Sequence, residues 1–177
     1  EITLETAQID FEFTPAFVLR AGISVVPIGA FNQNHDSPKW EFVERPLVST
    51  EIIPSTFSEI GFGINGKRFM GRVMASYDLL LVNGLTDGVI LNEEGRTFLQ
   101  SGKSEERFAE DNNGSPALSG RLALGYLGRG ELGVSFYSGA YNRYEIEGEP
   151  VADKHMVSIY ALDFDTSIGA ASFRGEF

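Results

Sequence analysis

The chain of 177 residues has no cysteine, one tryptophan and two histidines. Without Cys there is neither a disulfide framework nor a thiolate metal site. His35 and His155 lie far apart in the sequence, which argues against a His-rich metal site or a Ser–His pair. Basic residues are scarce, with 14 Lys and Arg against 25 Asp and Glu, for a formal charge of −11. No basic stripe offers phosphate neutralisation, so nucleic acid is not expected as a partner. No apolar run approaches the ~18 residues of a transmembrane helix, an absence that leaves barrel strands open, because their alternation escapes hydropathy. The chain begins at Glu1 without a Met or signal peptide and reads as a mature or trimmed sequence. Catalytic and cofactor motifs are also missing. Gly61-Phe-Gly63-Ile-Asn-Gly66 matches GxGxxG, but no helical period follows it, as a dinucleotide site requires. Asp111-Asn-Asn-Gly114 lacks the further ligands and closing Glu of a calcium loop. Carboxylates abound in the loops, and nothing marks two of them as an acid–base pair. Neither enzymatic activity, nor a cofactor, nor a bound metal is expected.

What the chain does contain is aromatic residues, glycine and alternation. There are 14 Phe, 6 Tyr and 20 Gly. The clearest stretch is Phe57 to Asn83, which reads as a β-hairpin turning at Asn65-Gly66, a dipeptide that tolerates positive φ. On this reading Ile60, Phe62 and Ile64 share one face of the first strand. Phe69, Val73, Ala75, Tyr77, Leu79 and Leu81 share one face of the second, with Arg68, Arg72, Ser76 and Asp78 opposite. Other alternating runs cover residues 2–13, 16–29, 117–127, 131–141, 154–164 and 169–177, about eight strands in all. The face of the seventh is ambiguous, because both parities carry apolar residues. Ser104-Glu-Glu could open a short helix through its acidic first turn.

The connections alternate short and long. Tight turns are expected at Pro15, Gly66, Arg129 and about Thr166, and long loops over Ala30–Thr56, Gly84–Ser115 and Asn142–Asp153. In an up-and-down meander this places every long loop at one end and every tight turn at the other, as in transmembrane β-barrels. Phe13, Phe17, Phe62, Phe69 and Tyr126 lie near the short turns on the apolar parity, as an interfacial aromatic girdle would. Core aromatics near hairpin ends are the alternative, but the charged opposite face leaves no room for a second dry side, which favours the girdle. Phe17, Leu19, Ile23, Phe69, Val73, Leu79, Leu122 and Val134 are expected to face lipid. On the polar parity stand Arg20, Arg72, Arg121 and Arg174, with Asp10, Glu12, Glu59, Asp78 and Glu176, and these are the candidate pore-lining residues. Such side chains set ion selectivity in a lumen. On a soluble sheet they would form a solvated outer face or stabilising cross-strand pairs. Their register, whether opposed rows or adjacent neutralising pairs, is left open by the sequence.

Several segments carry a family resemblance. They are Leu19-Arg-Ala-Gly-Ile23 with Val26-Pro-Ile-Gly29, Phe31-Asn-Gln-Asn-His-Asp36, Arg45-Pro-Leu-Val-Ser-Thr50, Ile53-Pro54, Glu59-Ile-Gly-Phe-Gly63, and Glu110-Asp-Asn-Asn-Gly114 ahead of Leu118-Ser-Gly-Arg-Leu122. In this order the chain resembles Gram-negative outer-membrane porin-like proteins related to the phosphate-selective porin O and P group. The resemblance spans most of the chain, which is short for a complete barrel of that kind. It implies an all-β, antiparallel up-and-down transmembrane β-barrel, here a segment of a larger one. It also implies an outer-membrane location, contact with membrane lipid, passive diffusion of small hydrophilic solutes or ions, and a homotrimer as the assembly. The loop Ala30–Thr56 would fold inward and narrow the pore. Phosphate selectivity in that group relies on lumenal lysines. Lys39, Lys67, Lys103 and Lys154 all read as loop, turn or strand-end residues, so that selectivity is not expected here. Two alternatives remain. One is a closed eight-strand outer-membrane barrel acting as an anchor or adhesion protein; the other is a soluble β-barrel or sandwich that binds a ligand on its loops.

Overall fold

Alternation of apolar and polar side chains dominates this chain, and strands dominate its structure. The computed structural model describes residues 4–34, 47–48, 52–53, 56–103 and 113–177. Ten strands occur among them: β1 (Ala7–Thr14), β2 (Phe17–Val25), β3 (Ser58–Met70), β4 (Val73–Val82), β5 (Ala117–Tyr126), β6 (Gly130–Ala140), β7 (Glu145–Ile146), β8 (Glu149–Pro150), β9 (Met156–Ile168) and β10 (Ala171–Glu176). Eight form one sheet in the order β1-β2-β3-β4-β5-β6-β9-β10, with every neighbour antiparallel. The protein is thus all-β with an antiparallel up-and-down sheet. Among the described residues β1 and β10 do not pair with each other. A helical turn, α1 (Ala30–Gln33), follows β2, and β7 and β8 form a separate two-stranded ribbon.

This order places the connections as expected. The loops from β2 to β3, from β4 to β5 and from β6 to β9 leave one end of the sheet, and the four tight turns close the other. Two turns lie elsewhere than their sequence signals suggested. The hairpin at the centre turns at Gly71-Arg72, not Asn65-Gly66, and Gly71 has φ 64. Asn65 and Gly66 are ordinary ladder positions opposite Asp78 and Tyr77. Gly66 is buried there, and a Cβ would meet the Ala16 carbonyl, so this glycine serves close approach rather than a turn. The last turn is Gly169-Ala170, beyond Thr166, with φ 63 at Gly169.

Moving the central turn by several residues reassigns faces. Arg72 is a turn residue and does not share the inward strand parity of the other arginines. Phe69 pairs with Met74 and stands on the parity of Lys67, while Arg68 pairs with Ala75 on the parity of Ile64. Lys67 is therefore a mid-ladder residue of β3, not a turn residue. Phe62 lies well up the strand opposite Leu81. The aromatic band near the turns reduces to Phe13, Phe17 and Tyr126, with the Phe13 and Phe17 rings 5.7 Å apart.

One face of the sheet is broadly apolar and exposed. Phe11, Leu19, Phe62, Leu79, Leu122, Val134 and Tyr160 belong to it. Val73 is also exposed, but it sits beside the turn. Ile23 shares the parity and yet is buried, at the loop end of β2. The opposite face is concave, and chain length shows why. Phe31 hydrogen-bonds to Glu176 on β10, six strand spacings from β2 in the sheet order. A flat sheet would separate those strands by ~29 Å at ~4.8 Å per spacing. The six residues from Val25 to Phe31 reach ~20 Å at most. The sheet must curl around this segment.

The curl encloses a core that alternation alone did not reveal. Val26, Ile28, Ile53, Phe57, Leu85 and Val89 from two long loops pack on Leu80, Val82, Ala117, Tyr137, Ile159 and Ala161 of the concave face. This explains the double apolar character of β9. Val157, Ile159 and Ala161 face the loop core, while Met156, Tyr160 and Leu162 lie on the exposed parity. The short helix expected at Ser104 and most of the stretch 110–114 lie outside the described residues, as do His35, Lys39 and Trp40.

Candidate functional site: the concave face near the turns

Below the loop core the concave face becomes charged. Its strands place Asp10 opposite Arg20, Asp78 opposite Arg121, and Asp165 opposite Arg174. Arg20 clamps Asp10 through two bonds, Nε to Oδ1 at 2.9 Å and Nη2 to Oδ2 at 3.0 Å, and reaches Asp78 Oδ2 at 3.4 Å. Arg121 turns away from its register partner. It donates from Nε and Nη2 to the Asp163 carboxylate at 3.0 and 2.5 Å, and from Nη2 to Glu131 Oε1 at 2.8 Å. Asp163 is directly opposite Gly133, and a Cβ on Gly133 would strike both the Arg121 guanidinium and the Asp163 carboxylate. This glycine lets an arginine of β5 reach an aspartate on β9 across β6. Arg174 holds Asp165 at 2.9 and 2.7 Å in a more exposed pair.

The geometry resolves the register. Arg20, Arg121 and Arg174 form adjacent pairs with carboxylates, so their fields largely cancel, and among the described residues no row of positive charge opposes a row of negative charge. The Arg121–Asp163 pair is deeply set, with side-chain exposures of 10% and 3%. Bidentate geometry at such depth holds β5, β6 and β9 in register.

Beside these pairs lies a groove of about 550 Å³. Asp10, Glu12 and Asp78 line it with Lys67, Ser76, Asn65 and Arg121, and Gln33 of α1 contributes from the loop side. Three carboxylates against two cations leave the groove mildly acidic. Its polar lining and openness suit hydrated solutes and ions. Among the described residues no group of three or more His, Cys, Asp or Glu could hold a metal ion.

Of the sequence-derived candidates, Asp10, Glu12, Arg20, Asp78 and Arg121 come together around this groove and its flanking ion pairs. Arg174 and Glu176 share their face on β10. Glu59 is on the same face opposite Ser24, but it is buried at the loop end. Arg72 belongs to the turn and is not part of the site. Lys67, Glu131, Asp163, Asp165 and Gln33 went unrecognised. For Lys67 the false turn at Asn65-Gly66 hid its parity. For Asp163 and Asp165 the signal was present, since they continue the parity of Val157, Ile159 and Ala161.

No family model matches the chain, and no solved structure matches it. A protein of Aquifex aeolicus (strain VF5) carrying the description "Uncharacterized protein" is 34% identical over 146 residues. That alignment takes in 80% of this chain and 31% of the Aquifex protein, so the chain spans about a third of its relative's length.

Proposed function

We propose that the chain is a wall segment of an outer-membrane β-barrel that passes small hydrophilic solutes or ions by passive diffusion. The observation that carries this reading is the polarity of the sheet. Its outer face exposes Phe11, Phe62, Leu122, Leu124, Val134 and Tyr160, with Phe11 63% and Tyr160 78% accessible. Its inner face holds arginine–carboxylate pairs and a polar groove. A sheet folded for water would bury the first face and solvate the second. A bilayer favours the observed arrangement, because lipid accepts the apolar face and a hydrated lumen accepts the charges. The loops gathered at one end support the same reading. A closed eight-strand barrel serving as an anchor is favoured by the loop core on the concave face, since small barrels have filled interiors. That β1 and β10 do not pair with each other among the described residues, together with the greater length of the Aquifex protein, favours the wider barrel.

The test is planar-bilayer recording of the detergent-purified full-length protein. The channel reading expects discrete conductance steps, with a weak cation preference from the acidic groove. Stable insertion into liposomes without conductance would leave the anchor reading. Full recovery in the aqueous phase without detergent would remove both.

A further inference from the structure

We propose that Glu176 and Ser135 are positioning residues that clamp Gly29–Gln33 across the concave face and make this segment a fixed wall of the polar groove. Gly29 N–H donates to Ser135 Oγ at 2.9 Å, and Phe31 N–H donates to Glu176 Oε2 at 2.9 Å. These contacts bind the segment after β2 to β6 and β10, more than a hundred residues away in sequence. Gly29 is required twice over. Its φ is 69, in the left-handed region, and a Cβ would occupy the space of the Glu176 carboxylate. The far end of the segment is fixed independently. Asn32 is buried, donates to the Val26 and Phe57 carbonyls at 2.8 and 3.0 Å, and accepts from Phe57 N–H at 2.9 Å. With both ends held, Gln33 is delivered to the groove beside Asp10, Asp78 and Arg121.

The clamp itself stands on these contacts. Its role in setting pore width rests on the channel reading, so two measurements keep the two apart. The first is hydrogen exchange on the full-length protein in detergent micelles. Glu176→Ala should speed exchange at the Phe31 amide ~10-fold or more, because a charge-assisted bond is lost. Ser135→Ala should do the same at Gly29 to a lesser degree. The Val26 amide, bonded to the Phe57 carbonyl, should stay protected in both variants. Glu176→Gln, which keeps an acceptor oxygen, should fall between parent and Glu176→Ala, and it carries the test if the alanine variant does not fold. Unchanged exchange at Phe31 in Glu176→Ala, or in Glu176→Gln where the alanine variant does not fold, overturns the clamp. The second is single-channel conductance and the largest neutral sugar that permeates. Both should rise when the clamp is cut. Faster exchange with unchanged conductance and size limit would overturn the wall role. A parent protein that forms no channel at all would overturn the wall role and the channel reading together, while the exchange result still decides the clamp.

Discussion

The two halves of the concave face fill the same curled sheet with different chemistry. At the loop end the filling is apolar: Phe57 stacks edge-on against Tyr137 at 5.5 Å, and Leu80, Val82 and Ile159 close around them. At the turn end the filling is ionic: Arg20 and Arg121 each bridge two carboxylates beside an open groove. The strands are the same, and only the residues at alternate positions change from Ile159 and Ala161 to Asp163 and Asp165. The apolar half stabilises through burial and resists water. The ionic half contributes less net stability, because desolvation offsets much of the Coulomb gain, but it keeps charged and polar groups along an open groove. One strand, β9, can thus face an apolar core and an ionic cluster at different heights.

Cutting into each half sharpens the contrast. Phe57→Ala empties a fully buried site and should cost ~3–5 kcal/mol. Arg121→Ala should cost a similar ~3–5 kcal/mol for another reason, since Asp163 would be left buried without its cation. Urea titration of the full-length protein in micelles measures both. Replacing Asp163 and Arg121 together by apolar residues should recover much of the second loss, whereas no polar replacement at Phe57 should recover the first. A double variant as unstable as Arg121→Ala alone would show that the pair holds up the sheet outright.

A cut on the outer face comes next in size. Val134→Arg at mid-strand should cost ~2–4 kcal/mol when folding is followed in lipid vesicles. A cost near zero there would mean that this face meets water or protein instead of lipid. The smallest effect belongs to the rim. Arg174→Ala should cost at most ~1 kcal/mol, because its pair with Asp165 is about half exposed, at 45% and 48%. The loss should fade as salt rises, unlike that of Arg121→Ala. A large, salt-independent loss at Arg174 would erase the distinction between rim and interior.

The alternation made much of this legible. Eight strands, their up-and-down order and the placement of loops and turns at opposite ends all follow from period-two patterning and connection lengths. So does the shared face of Asp10, Arg20, Asp78 and Arg121. Two things were hidden. Asn65-Gly66 has the chemistry of a hairpin turn, yet tertiary context uses its glycine for close packing under Tyr77, and the chain turns several residues later. Arg72 and Phe69 were misplaced in consequence. The loop core was hidden because Val26 and Ile28 switch the apolar parity after β2, and Leu85 and Val89 lie outside any alternating run. Their burial depends on a curl that only long-range contacts produce. The ion pairs needed register, and Arg121 bypasses its own register partner for Asp163 because Gly133 leaves the path clear.

The order of assembly follows from where the contact between Phe31 and Glu176 falls in the chain. A meander joins each strand to its successor, so even its pairings across the long loops bridge far less chain than the contact between Phe31 and Glu176, and strands can add in turn. The Phe31–Glu176 bond spans 145 residues and needs β10. Its closure therefore waits on β10: until that strand has paired with β9, Phe31 lacks this contact, although Gly29 and Asn32 are held by other parts of the chain. Pulsed hydrogen exchange during refolding should find the β1–β2 and β3–β4 amides protected before that of Phe31. Early protection of Phe31 would mean that the sheet assembles around the segment instead.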